Sequence, residues 1–393
     1  MIRGNKIKAL FVNGLPIDMG GIEKSTMEIL REINHEKLQL DFAVRKPDKG
    51  CFHDEIENYG GEIYNVFEKT KHKGKKKWNL IMDIYSLFGF YRILKQKGPY
   101  NAIHIVHPFL DGFLIIAAIL AKVPVRIVHS RYTGIDDKIK PGILLKLTRK
   151  FRASLCKKYA THIWGCSIAA AQHHFGKTIT DDKRLEIPEN PIKVVDYLTK
   201  KCTKDEACSI LNISYDNINF LHVGRFTDSK NQLFLLSLFS QLLTSEGNIH
   251  LVIVGGGALE DQLKDRIQTL GIERNVTMLP SDTNIQIALA ASDYFLFPSL
   301  YEGFGNVLIE AQAAGVPCIA SDRCPTETNM GLIDYLPLEQ GTELWEKFIL
   351  NILKNPNNRE LMVEKILNHD VTVVAPRMEG VYIKGQKYYE NYN

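Results

Sequence analysis

The feature that constrains this chain most is an alternation, run through twice, of short apolar segments with stretches of helical length. In the first half "KALFVNG", "LQLDFAV", "GEIYNVF", "NAIHIVH", "VRIVHS" and "THIWGCS" read as strands. In the second, "INFLHVGRF", "IHLVIVGGG", "NVTMLPS", "DYFLFPS" and "VPCIASD" do so, with helical patterns at 231–243 and 306–314 between them. Such alternation produces parallel strands, because each crossover helix covers a face of the sheet. At 393 residues the chain is long enough for two cores. The expected fold class is therefore α/β, with two Rossmann-like doubly wound parallel-sheet domains facing a cleft. Ligands of such sheets bind beyond the carboxyl ends of the strands. "LEIPENPIKVVDY", with two prolines and an Asn-Pro pair, reads as a linker near 188–192. That gives a first domain over 1–190, a second over 191–375 and a terminal helix over 376–393 that carries Met378, Val381 and Tyr382.

The stretch "SLYEGFGNVLIEAQAAG" (299–315) joins a predicted strand to a helix expected to start near Asn306, a residue type that caps helices, and to stop at Gly315. Gly303, Phe304 and Gly305 form a loop whose backbone amides can approach a ligand closely. Glu302 and Glu310 flank it. A carboxylate has two acceptor oxygens, matched to a pair of neighbouring hydroxyls and repelled by phosphate. Each glutamate alone reads equally as a favourable charge near the positive end of a helix. Phosphate partners are expected in "HVGRFTDSKN", where Arg225 and Lys230 follow a strand. Cations placed there neutralise a departing diphosphate.

"VIVGGGALE" begins like a dinucleotide fingerprint, but Glu260 stands at the third glycine position, and a tight strand-to-helix turn explains it. "LPIDMGGIEKS" puts Gly20 and Gly21 between the first strand and first helix, where backbone amides can meet a diphosphate or an acceptor. His129, in "RIVHS", ends another strand. No D-x-D pair occurs in the sequence, so the acidic metal clamp of much nucleotide-sugar chemistry is missing. Metal independence is the expectation, with Arg225 and Lys230 in the metal's role. No cofactor is expected.

The net charge of +4 conceals a division. Residues 1–190 hold 32 Lys+Arg against 20 Asp+Glu, a net of +12, and the remainder 17 against 25, a net of −8. "KTKHKGKKKW" and "KIKPGILLKLTRKFRASLCKKY" carry the basic clusters. The second spaces Ile143, Leu144, Leu147, Phe151 and Leu155 roughly as one helix face. A basic amphipathic helix of this kind fits an anionic membrane surface. It reads equally as a core helix with a solvated basic face, and both readings stand at this point. No recognised nucleic-acid motif accompanies the charge, so nucleic acid is not an expected partner. The longest apolar run, "FLIIAAILA", is too short to cross a bilayer. Seven cysteines without a C-x-x-C pair, and an opening without a signal-peptide pattern, lead to the expectation of reduced thiols and a cytoplasmic setting.

"GRFTDSKN", "LVIVGGG", "FPSLYEGFGNVLIEAQAAGVPCIASD" and "MGGIEKS" are similar to the motifs of the family 4 glycosyltransferases of the GT-B group, those of bacterial exopolysaccharide and capsule synthesis above all. The resemblance runs from about residue 6 to 322. It implies that Glu310 binds the ribose hydroxyls of a nucleotide sugar. Glu302 and the backbone of Gly303, Phe304, Gly305 and Asn306 would hold the donor sugar, and Arg225 and Lys230 the diphosphate. Gly20 and Gly21 would close over that diphosphate, with His129 near the reacting carbon. The resemblance further implies a UDP-sugar donor, retention of anomeric configuration, a glycan or lipid-linked acceptor, and a terminal helix that returns to the first domain. Pro191–Ile192 departs from the Asn-Gly turn frequent at the family's linker. Glu327 matches the exopolysaccharide subgroup but receives no role. The rival readings are a nucleotide-sugar epimerase of the same architecture and a non-catalytic partner subunit.

Overall fold

A computed structural model describes residues 6–13, 20–45, 50–66, 80–133, 142–199, 202–356 and 359–390. The chain forms two compact units. One runs to Ile192 and takes up the chain again over His369–Asn393, and the other is Lys193–Asn368. Each is built on an all-parallel sheet, as the two rounds of alternation predict.

The sheet of the first unit contains β1 (Ile7–Asn13), β2 (Leu38–Val44), β3 (Ile63–Asn65), β4 (Ala102–Ile105), β5 (Val125–Ser130), β6 (His162–Gly165) and β7 (Leu185–Glu186). Their order is β3-β2-β1-β4-β5-β6-β7. β7 is an addition to the expected six strands. It was assigned to the linker because two residues carry no periodicity, and its pairing is supplied by Ile163 and Trp164 of β6. The second unit contains β8 (Ile218–Val223), β9 (Ile249–Val254), β10 (Val276–Leu279), β11 (Tyr294–Phe297), β12 (Cys318–Ser321) and β13 (Ile333–Leu336), in the order β10-β9-β8-β11-β12-β13. β13 is likewise additional, and it pairs in parallel with β12. All six residues of β9 are buried, as expected of a strand covered on both faces. The order reverses between β1 and β4 in one sheet and between β8 and β11 in the other. These are the switch points at which the crevices of doubly wound sheets open.

The closing helix runs Val371–Lys384, five residues earlier than its expected start. Proline is favoured in the first turn of a helix. Instead Pro376 lies inside the helix. Upstream, Val371, Val374 and Ala375 are buried, and the Asp370 carboxylate caps the first turn by accepting from the Thr372 amide at 3.0 Å. Gly385, left-handed at φ 67°, ends it well before residue 393. This helix packs on the Gly21–Glu32 helix and β4 of the first unit.

Among the described residues no helix is long and apolar enough to cross a membrane. The lysine cluster at 69–78 lies outside the described residues. The second basic cluster forms the helix Ile143–Tyr159, whose inner face joins the core through Ala153, Cys156 and half-buried Leu155 while the rest of the predicted apolar stripe does not. Ile143, Leu144, Leu147 and Phe151 face solvent, while Arg152, Ala153 and Cys156 are turned inward. Close approach explains this. A Cβ on Gly112 would lie 2.8 Å from the Arg152 carbonyl and 2.9 Å from Cys156 Sγ, so the glycine is what admits this face of the helix so closely.

Candidate active site

In the second unit, the loops after β8 and β11 leave adjacent central strands, and their ends are joined. The Leu300 amide donates to the Ser229 carbonyl at 2.8 Å. His222 in β8 reaches across with Nδ1 2.9 Å from the Leu296 carbonyl of β11. Gln232, the first residue of the Gln232–Ser245 helix, donates from Nε2 to the Arg225 carbonyl at 2.9 Å. Phe226 donates its amide to Gly256 at 2.9 Å, so the triple-glycine turn after β9 braces the Arg225 loop. That is a structural use for the incomplete dinucleotide fingerprint.

This scaffold brings Lys230 and Glu302 together as an ion pair, 72 residues apart in sequence. Both side chains are largely buried. Lys230 Nζ also sits 4.8 Å from the centroid of the Phe297 ring, a cation–π contact that fixes the ammonium from beneath. Arg225 is exposed on the same loop. Gly303, Phe304, Gly305 and Asn306 follow Glu302 directly, and Glu310 is half-buried one turn into the helix Asn306–Ala313. The cap of that helix is Gly305, and Asn306 is its first helical residue, one position away from the expectation. Gly305 has φ +92°, a left-handed conformation that glycine accepts and asparagine only with strain, so the turn selects the glycine. Cys324 lies close enough for the Glu302 charge to act on it. Burial first, and then Glu302, push its thiol up to about 12.

In the first unit, Gly20 precedes the Gly21–Glu32 helix as its N-cap. Glu23, one turn in and buried, accepts from Asn13 Nδ2 at 2.9 Å, and Asn13 Oδ1 lies 3.1 Å from His107 Nε2. A second chain of contacts carries His129. The Tyr382 hydroxyl is 2.7 Å from His104 Nδ1, and His104 Nε2 is 3.1 Å from His129 Nδ1. The two imidazoles are stacked 5.2 Å apart, both edge-on to Trp164. Among the described residues, buried His129 Nε2 has no hydrogen-bond partner. Burial, aided by the Arg131 charge, holds both rings far below the ordinary histidine value, so both are neutral. One end of a neutral imidazole chain thus stays open to a further donor or acceptor.

Asn13, Glu23, His104, His107 and Tyr382 were not among the expected site residues. Two histidines in the strand segment "NAIHIVH" were the available signal.

These neutral rings set a pH dependence. Burial also pushes His174 down to about 3. The unfolded chain binds protons below pH ~6.5 at rings that stay neutral when folded. Stability present above that pH is therefore lost as pH falls towards the folded values, by up to about 1.4 kcal/mol per ring per pH unit. Calorimetry from pH 7.5 to about 5 should show the transition of the first unit falling steadily; a flat profile would mean that the rings are not held neutral.

Residues 204–336 match the family described as Glycosyl transferases group 1. Over 307 residues the chain is 32% identical to an uncharacterized glycosyltransferase of Haemophilus influenzae, covering 78% of each chain. Over 324 residues it is 26% identical to the UDP-Gal:alpha-D-GlcNAc-diphosphoundecaprenol alpha-1,3-galactosyltransferase of Escherichia coli, covering 81% of this chain and 80% of that one. Among solved structures, Anabaena HepE in complex with UDP has the same fold, with a TM-score of 0.75 at 16% identity over 96% of this chain and 99% of that one.

Proposed function

The chain belongs to the group 1 glycosyl transferases, and from that premise we propose that it transfers a sugar from a nucleotide diphosphate, a UDP-sugar, to a glycan or lipid-linked acceptor in exopolysaccharide or capsule synthesis. The observation that carries this reading is the Lys230–Glu302 pair, set beside exposed Arg225 and the glycine loop at the switch point of one sheet. Acid and base adjoin there, and a nucleotide sugar has both hydroxyls and a diphosphate to offer them. The E. coli relative is named for a UDP-linked donor and a diphosphoundecaprenol acceptor, and HepE is a UDP complex. Both names support the choice. A lipid-linked acceptor would set the enzyme at the cytoplasmic face of the cell membrane.

In the proposed reaction the bond from the anomeric carbon to the diphosphate breaks and a bond from the acceptor oxygen forms on the same face. The configuration is retained without a covalent enzyme intermediate. The acceptor's hydroxyl proton passes to the departing phosphate oxygen. Arg225 and Lys230 stabilise the negative charge that grows on the diphosphate, the work a metal ion performs elsewhere. Glu302 and the backbone of 303–306 hold the sugar, and Glu310 holds the ribose. In the first unit, His129 offers Nε2 to a hydroxyl, and the glycines at 20 and 21 let a ligand approach the helix start.

The experiment is a panel of UDP-sugars with and without acceptor. UDP should stabilise the protein, by about 2.7 kcal/mol at a hundredfold excess over Kd. Transfer should proceed in a chelator, and no epimerised UDP-sugar should accumulate without acceptor. An epimer formed from donor alone, or turnover abolished by the chelator and restored by a divalent cation, would contradict the proposal.

A further inference from the structure

The Ile143–Tyr159 helix presents its apolar side outward. Ile143 is 80% exposed, Leu144 76%, Leu147 59% and Phe151 54%. At spacings of one, four and eight residues from Ile143 they form one stripe along the helix. Leucine, isoleucine and phenylalanine so gathered and so exposed mark a surface made to be covered. Over the same helix run Lys146, Arg149, Lys150, Arg152, Lys157 and Lys158, with no carboxylate. Among them Lys146, Lys150 and Lys158 are exposed beside the stripe.

A second helix lies on the same face of the sheet. The Leu80–Lys97 helix follows β3 as the Ile143–Tyr159 helix follows β5, so both start at the carboxyl edge of the sheet. Both also contribute to one core cluster on the same face, through Phe90 and Leu94 in one and Ala153 and Cys156 in the other. Near its start the Leu80–Lys97 helix exposes Tyr85 and Phe88. Apolar side chains therefore stand outward on two helices at the same end of the first unit.

We propose that this face, led by Ile143, Leu144, Leu147 and Phe151, inserts into the interface of an anionic bilayer. The charge selects that occupant. A second copy seated by twofold symmetry would bring one basic helix onto another, and nothing acidic lies on this helix to relieve it. An anionic headgroup layer meets the cations while its acyl boundary takes the apolar stripe. For its part in catalysis the inference rests on the proposed lipid-linked acceptor, which the same bilayer would hold; the surface itself does not depend on the reaction.

The test is co-sedimentation of the full chain with vesicles of phosphatidylcholine alone, or mixed with phosphatidylglycerol. Binding should appear on the mixed vesicles and weaken with salt. Leu147→Glu with Phe151→Glu, and separately Lys146→Glu with Lys150→Glu, should each lower partitioning at least about tenfold. Both variants alter exposed positions and should keep the wild-type melting temperature and the UDP-induced shift. Partitioning is read without substrate, so a failed transfer reaction leaves this result standing, and the reverse holds too. Equal binding to both vesicle types, or no binding to either, would overturn the proposal. So would a dimer, seen by sedimentation equilibrium, that the Leu147→Glu/Phe151→Glu variant dissociates.

Discussion

Replacing Lys230 with alanine is expected to lower kcat for sugar transfer by about 10²- to 10³-fold, with a much smaller change in KM. The ammonium is held on two sides, by the Glu302 carboxylate and by the face of Phe297 4.8 Å away. A cation fixed in this way needs no rearrangement when charge develops on a leaving diphosphate, and its effect falls on the transition state more than on binding. Removing it also breaks a largely buried ion pair, so the folded state should lose about 1–3 kcal/mol. The Lys230→Ala/Glu302→Ala variant separates the two effects. Its stability should recover towards wild type while activity stays low. Steady-state kinetics and denaturant titration of the two single variants and the double variant complete the cycle. Normal turnover in Lys230→Ala would show that the leaving group is not held here.

Val381→Asp should unfold the first unit and spare the second. Val381 is fully buried in a cluster with Met378, Tyr382, Val374, Leu30 and Phe11. An aspartate in that apolar cluster is charged without compensation, and burying it costs several kcal/mol, comparable to the whole stability of a domain. Trp164 reports on the first unit and Trp345 on the second, since each is fully buried in its own. Calorimetry combined with tryptophan emission should show one transition displaced by more than about 10 °C and the other nearly unmoved. If both stay in place, the closing helix contributes little to that core.

The fold was legible because crossover helices and buried parallel strands leave a coarse periodic mark. The two strands that escaped show its limit. Leu185–Glu186 is too short to carry a pattern, and in Ile333–Leu336 an aspartate interrupts the apolar run. That Lys230 and Glu302 would come together could be read, since neighbouring strands of a parallel sheet gather the loops that follow them. The partners of His129 could not. Tyr382 lies 278 residues from His104, and no local pattern announces a contact of that span. The basic helix shows a third kind of limit. Its two faces were plain from spacing alone, but which face turns inward depends on how closely Gly112 admits Arg152 and Cys156, a matter of fit across elements.

The return of residues 371–384 to the first unit has a consequence for how the protein is made. Among the described residues the second unit is a continuous run of chain, and it has been translated once Asn368 has emerged from the ribosome. The first unit, though begun earlier, lacks Val374, Met378, Val381 and Tyr382 from its core until the second unit has been translated. A nascent or prematurely terminated chain therefore displays an unfilled apolar surface on its oldest part, the feature that chaperones and proteases act on. Closure of the first core thereby waits on translation through the whole of the second unit, and copies that stop short of it are left exposed to removal.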